Sequence, residues 1–415
     1  MAKRDGSSEV TPKDAVESQK LMKDLIKEFN KDSEKSGKMA WCLGTDSDNP
    51  TDVKEFISTG STLLDYAIAN RRGGGLPVGK ITEISGEEAS GKSLLCAHLI
   101  VDCQRRGGIA VYIDTENAAN PDFLQRIGVN INELVYLQPG CCEDVGEAII
   151  KTITMARSKA PNKLILVLWD GIAATPTRKE LTGDFDLSMD LQLEKSKVLS
   201  KMMRMITDTI GKDRVCLVFT NQLKVKIGVM YGDPMTTPGG KAVPYHASVR
   251  LRCFAGKKKK ATNGKETESE EGAGDVYGVH TSVKVAKNRL GPPFRKVEFD
   301  ILFASGIDNE GSWFQRLHEC DEILKKEGWC YLSSLPSGKI ETKGAYEGKD
   351  LGISFREKEF GGMVREDPKL REHVLNLLEK HMIVKYNEIP KDADLNPESL
   401  MDAETVQEGV LNGTV

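Results

Sequence analysis

This sequence predicts an α/β fold with a mostly parallel central sheet flanked by helices, on three observations. Between residues 80 and 302 the apolar runs Ile109 to Asp114, Leu164 to Asp170 and Val215 to Asn221 alternate with helical stretches such as Leu191 to Ile210. Uninterrupted apolar strands suit a parallel sheet covered on both faces. The glycine-rich stretch Gly86-Glu87-Glu88-Ala89-Ser90-Gly91-Lys92-Ser93 stands between a strand, Ile81 to Ser85, and an apolar helix, Leu94 to Ile100. With 415 residues, 39% of them hydrophobic, the chain can bury one large core and still carry appendages.

Taken in order, Met22, Leu25, Ile26 and Phe29 fall at i, i+3, i+4 and i+7, one amphipathic helix. A polar stretch from Lys31 to Thr51 separates it from the core, so residues 1–50 are read as helix and linker and 51–310 as the main domain. After Gly311, Trp313, Trp329 and Tyr331 mark a small mixed segment with a helix from Pro368 to Lys380, a second domain over 311–384. Residues 385–415 carry seven acids against Lys385 and Lys391 and read as an acidic disordered tail. Nine cysteines form no C-x-x-C pair and are read as reduced, buried thiols. No apolar run reaches membrane-spanning length and no apolar signal core opens the chain, which predicts a cytoplasmic protein with no membrane partner.

The chemistry starts at the glycine-rich stretch, a complete phosphate-binding loop. Backbone N–H groups of Gly86, Glu87, Glu88, Ala89, Ser90 and Gly91 can converge on phosphates at the positive end of the following helix. Lys92 adds a point charge, and the Ser93 hydroxyl can hold Mg²⁺. Asp170 ends an apolar strand, as a carboxylate facing Mg²⁺ does, although a helix cap is the alternative. Glu116 follows another strand and could take a proton from water attacking a γ-phosphate. Gln222 ends a third, where its amide could sense that phosphate.

A net charge of −4 does not advertise nucleic-acid binding, yet residues 224–260 hold nine Lys or Arg against Asp233 alone. Within them runs a loop rich in Gly and Thr. Lys224, Lys226, Gly228, Thr236, Thr237, Gly239, Gly240 and Lys241 can offer amides, hydroxyls and charge to a nucleic-acid backbone, with a mobile lid over the nucleotide as the alternative. Lys257-Lys258-Lys259-Lys260, followed by Glu266, Glu268, Glu270 and Glu271, reads as a solvated hairpin excursion, with a plain surface loop as the alternative.

These residues resemble the bacterial RecA recombinases and their phage relatives over nearly the full length. Beside the phosphate loop, the matching segments include Gly75-Leu76-Pro77-Val78-Gly79, Tyr112-Ile113-Asp114-Thr115-Glu116, Thr236-Thr237-Pro238-Gly239-Gly240, Ala247-Ser248-Val249-Arg250-Leu251 and Val285-Ala286-Lys287-Asn288-Arg289. The resemblance implies a RecA-type core with an N-terminal oligomerisation helix and a small α+β C-terminal domain. It implies an ATPase using ATP and Mg²⁺ that forms a helical homo-oligomeric filament on single-stranded DNA and pairs it with double-stranded DNA. Single-strand-binding and mediator proteins are further candidate partners. By the same resemblance Glu116 is the catalytic glutamate and Gln222 the nucleotide sensor, while Lys287 and Arg289 reach a neighbour's γ-phosphate. Asn120 and Phe123 lie by the adenine. A first DNA loop falls near Leu181 to Ser188, with Lys197 and Arg204 on the next helix and Lys284 completing the DNA-facing set. Three positions depart from the family pattern: Arg289 replaces Lys, Gly171 replaces Ser, and Asn120 replaces an acid. A ring-forming helicase-like motor and a non-catalytic mediator remain the competing readings.

Overall fold

The computed structural model describes residues 12–31, 38–43, 45–46, 52–182, 189–211, 214–225, 234–262, 265–268, 275–342 and 347–385. Lys226, Gly228, residues 183–188 of the expected first loop and the acidic tail from Tyr386 lie outside them. The chain forms two units, one drawn from residues 1–59 and 75–255, the other from residues 60–74 and 256 onward.

In the first unit, β1 (Phe56–Ile57) pairs with β2 (Leu76–Pro77), and six strands build the main sheet. These are β3 (Ile81–Gly86), β4 (Ile109–Asp114), β5 (Leu134–Leu137), β6 (Ile165–Asp170), β7 (Val215–Gln222) and the start of a long strand beginning at Val249. Every pairing is parallel, in the order Val249 strand, β3, β7, β6, β4, β5. All six residues of β3 and of β6 are buried; β6 is an apolar run ending on Asp170, whereas β3 buries Thr82, Glu83 and Ser85 beside its two isoleucines. Side chains alternate between faces, so Ile165, Val167 and Trp169 join one core with the helices Cys142–Lys159 and Met189–Gly211. Trp169 packs edge-on against Phe219 with ring centroids 5.5 Å apart. Truncating either to alanine costs about 3–5 kcal/mol. The helix Lys92–Arg105 packs on β3, β4 and β6 through Leu95, Leu99 and their buried neighbours. Parallel strands bring their carboxyl ends to one edge, which collects Gly86, Asp114, Asp170 and Gln222 there.

A short ladder of β8 (Lys224–Val225) with β9 (Met235–Thr236) follows β7. The long strand β10 (Val249–Thr262) then leaves the first unit after Ala255. In the second unit its end folds back on β11 (Lys265–Glu268), so the expected hairpin excursion is an ordered ladder with Lys259 opposite Glu268. β12 (Asp275–Asn288), β13 (Lys296–Leu302) and β14 (Gly306–Asp308) continue antiparallel, packing Val283, Phe299 and Ile301 inward. A small sheet of β15 (Ile323–Lys326), β16 (Trp329–Leu332) and β17 (Ile353–Phe355) lies with the helices Phe360–Glu366 and Pro368–Met382. Its core is the aromatic group Phe314, Phe355 and Phe360. No helix among the described residues is long and apolar enough to cross a membrane.

Candidate nucleotide and DNA site

The phosphate loop leaves β3 at Gly86, where a Cβ would lie 2.3 Å from Ser90 Oγ and 2.8 Å from the Cys253 carbonyl, so only glycine fits. Ser90 Oγ donates to the Glu87 carbonyl at 2.8 Å, fixing the turn. Gly91 caps the helix Lys92–Arg105 at φ 90° with no side chain over its amides, leaving the first-turn N–H groups directed outward. Lys92 Nζ donates to the carbonyls of Gly86 at 3.1 Å and Glu87 at 2.6 Å, which holds the ammonium over the loop.

Asp170 is buried, and both its oxygens are occupied. Oδ2 accepts from Tyr112 at 2.7 Å and from Ser93 at 3.3 Å, while Oδ1 accepts from Thr220. The carboxylate therefore stands on three side chains, from β4, β7 and the loop helix, and does not cap a helix. Burial and the Asp170 charge push the Tyr112 phenol well above its ordinary range, so it stays a donor to that carboxylate. An all-oxygen pair of carboxylate and hydroxyl is the donor chemistry Mg²⁺ prefers, so Ser93 and Asp170 fit it.

Glu116 opens the segment after β4. Asp114, itself buried, accepts from the amides of Glu116 at 3.0 Å and Ala119 at 2.9 Å and from Tyr136 at 2.9 Å, and so pins that segment. The Glu116 residue is exposed at the mouth of the site. Its carboxyl is nevertheless raised above the usual range, first by desolvation and then by the Asp170 charge, with Lys92 opposing. A Cβ at Gly171 would lie 3.0 Å from Glu116 Oε1 and 2.6 Å from Thr220 Oγ1. Glycine there leaves room for this carboxyl, a physical reason for the departure from the family's serine.

Asn120 caps the helix Pro121–Ile127, its Oδ1 accepting from Phe123 N at 3.1 Å. This assigns the pair a structural bond alongside its expected place by the base. Gln222 closes β7 in register with Gly86, so the amide stands beside the phosphate loop.

The stretch read as cationic surface is partly interior. Arg252 and Lys260 are buried, Arg250 pairs with the buried Glu83, and Lys259 Nζ meets Asp300 at 2.5 Å. Lys224, Lys241, Lys257 and Lys258 remain exposed. Charge alone could not separate these groups, because a lysine run looks the same whether its strand is solvated or paired. Thr237 is buried and Thr236 half-buried. Gly239 and Gly240 have φ of 99° and 72°, and a Cβ would lie 2.8 Å from Leu199 Cδ1 or 2.6 Å from Ser196 Oγ respectively. The left-handed backbone favours glycine at both, beside side-chain ends of the helix Met189–Gly211, and does so whatever their amides face. Lys197 and Arg204 are exposed on that helix, Lys197 lining a groove of about 500 Å³ with Glu143 and Glu147. Lys284, Lys287 and Arg289 belong to the second unit, on or just past β12, and Lys284 and Arg289 are exposed there. Sequence reasoning missed Tyr112 and Thr220 as holders of Asp170; a polar side chain near the end of each apolar strand was the available signal.

Known proteins are similar to this chain over most of its length. A family model described as the RecA N-terminal domain matches residues 20–308. Protein RecA of Trichodesmium erythraeum (strain IMS101) is 36% identical over 344 residues, 82% of this chain and 86% of that protein. Protein RecA of Nostoc punctiforme is 35% identical over 356 residues, 84% of this chain and 88% of that protein. Protein RecA of Synechococcus sp. (strain CC9902) is 40% identical over 277 residues, 66% and 67% of the two chains.

Proposed function

The chain belongs to the RecA family, and from that premise we propose how its own residues carry out the family's reaction. The protein is a DNA-dependent ATPase that forms a helical filament on single-stranded DNA and catalyses homologous pairing and strand exchange. The observation that carries the assignment of residues is the convergence of Lys92, Ser93, Glu116, Asp170 and Gln222 at one edge of one parallel sheet.

In this reading the loop amides from Gly86 to Gly91 and the Lys92 ammonium bind the triphosphate of ATP, and Phe123 and Asn120 flank its base. Ser93 and Asp170 hold Mg²⁺, which neutralises phosphate charge. Glu116 accepts the proton of the attacking water, and its raised carboxyl suits a base that must take up that proton. Gln222 reads the γ-phosphate end. Lys287 and Arg289 act on a neighbour's nucleotide, supplying charge in trans as an arginine finger does. Lys197, Arg204, Lys224, Lys226, Lys241 and Lys284, with the backbone from Gly228 to Gly240, contact DNA. The helix Pro12–Phe29 leaves Met22, Leu25 and Phe29 exposed, an apolar stripe suited to docking on the next protomer. Residues 51–310 form the catalytic core, 311–384 an accessory domain, and 385–415 an acidic segment that competes with DNA phosphates. Single-strand-binding and mediator proteins would act on the same filament.

Electron microscopy with ATP and single-stranded DNA tests this. Open helical filaments are expected, and closed rings would favour the helicase-like motor, because only a heterologous interface that fails to close makes a filament. Lys287→Ala and Arg289→Ala should each lose DNA-stimulated turnover and regain part of it when mixed with Lys92→Ala. No rescue at any ratio counts against a site shared between protomers.

A further inference from the structure

Glu83 lies in the middle of β3, fully buried, in a strand that otherwise only delivers the phosphate loop. A buried carboxylate needs compensation, and the two neighbouring strands supply it. Arg250 of β10, opposite Glu83 in register, donates from Nε to Glu83 Oε2. Asn221 of β7 donates from Nδ2 to Glu83 Oε1 at 3.0 Å. The same Asn221 nitrogen donates to the Pro238 carbonyl at 3.1 Å, and its Oδ1 accepts from the Gln222 amide at 3.0 Å. Two acceptors and one donor around this side chain fix which way its amide points. Arg250 Nη2 in turn donates to Thr237 Oγ1 at 3.4 Å.

We infer that Glu83, with Arg250 and Asn221, is a positioning device that couples the nucleotide end of β7 to the anchor of the glycine- and threonine-rich loop. The inference rests on the proposed roles of Gln222 and that loop. The coupling is physical: Gln222 cannot shift along β7 without moving Asn221. Asn221 cannot move without releasing either Glu83 or Pro238. The loop's two ends are also tied to each other, since Lys224 and Val225 pair with Thr236 and Met235 just before Thr237. A displacement at the phosphate end therefore reaches both ends of the loop, and an anion held by the loop acts back on Gln222 by the same bonds. None of Glu83, Arg250 or Asn221 needs to touch ATP or DNA for this.

Glu83→Gln and Arg250→Lys in the full chain test it, with ATP hydrolysis measured with and without a single-stranded oligonucleotide, alongside thermal unfolding. For Glu83→Gln the DNA-free turnover and the KM for ATP should stay within about twofold of wild type. DNA stimulation should fall at least tenfold, with more oligonucleotide needed for half the effect. Arg250→Lys keeps the charge and loses the fork that spans Glu83 and Thr237, so it should lose part of the stimulation. Wild-type stimulation in a folded Glu83→Gln overturns the inference, as does a parallel fall of both rates with the melting temperature. If Glu83→Gln does not fold, Arg250→Lys decides: selective loss of stimulation supports the coupling, and unchanged or equally reduced rates overturn it. A wild-type enzyme indifferent to DNA overturns the functional reading itself, and the inference with it.

Discussion

Two glycine-bearing stretches of the first unit carry the same composition for different reasons. At the phosphate loop, glycine is required where the backbone crosses Ser90 and Cys253, and the helix behind it opens with its amides uncapped. At Gly239 and Gly240, glycine suits a left-handed backbone that runs close to Leu199 and Ser196 of a neighbouring helix. At both places the glycine meets protein atoms closely: a hydroxyl and a backbone carbonyl at Gly86, side-chain ends at Gly239 and Gly240. Glycine content alone therefore marks a close approach of backbone and leaves open what is approached.

The largest effect should come at the phosphate loop's end of the sheet. Glu116→Gln keeps the size of the side chain and removes the base, so turnover should fall by about 10²- to 10⁴-fold with nucleotide binding retained. Turnover within threefold of wild type would remove Glu116 from the base role.

Paired substitutions sharpen the comparison. Gly240→Ala should lower stability by about 1–3 kcal/mol, because it forces a left-handed backbone and a clash with Ser196. Its affinity for ATP should hold. Gly86→Ala should lower stability too, because its Cβ meets the Cys253 backbone carbonyl, and should lose ATP affinity by a larger factor than that loss of stability implies. Calorimetric unfolding and nucleotide titration on both variants separate these outcomes, and identical profiles would erase the distinction.

The fold was largely legible because it is written locally. The runs at Ile109, Leu164 and Val215 needed only their own residues to read as buried parallel strands, and the phosphate loop is contiguous. The support of the site was less legible, since Glu83, Asn221 and Arg250 meet only once β3, β7 and β10 are laid side by side. Arg250 counted as surface charge in sequence because nothing near it in the chain announces the buried carboxylate that neutralises it.

A smaller effect concerns pH. As the proposed base Glu116 must be ionised, and its carboxyl is held above its ordinary value by desolvation and by Asp170, so the rate should rise with pH through a midpoint above the usual carboxylate range. An acid limb at ordinary glutamate values would show that the carboxyl is solvated during catalysis. Smallest of all, Asn120→Asp restores the family's acid while keeping an N-cap acceptor, so stability should change by no more than about 0.5 kcal/mol. A larger loss by thermal unfolding would mean that Asn120 does more than cap its helix.

The central claim is that the sheet edge carrying Lys92, Glu116, Asp170 and Gln222 is an ATPase engine governed by DNA. Steady-state ATP hydrolysis by the full chain, titrated with single-stranded DNA, tests it most directly. Slow turnover without DNA, rising at least tenfold to a plateau as DNA is added and vanishing in Glu116→Gln, is the expected result. Hydrolysis that is equally fast at every DNA concentration would contradict it.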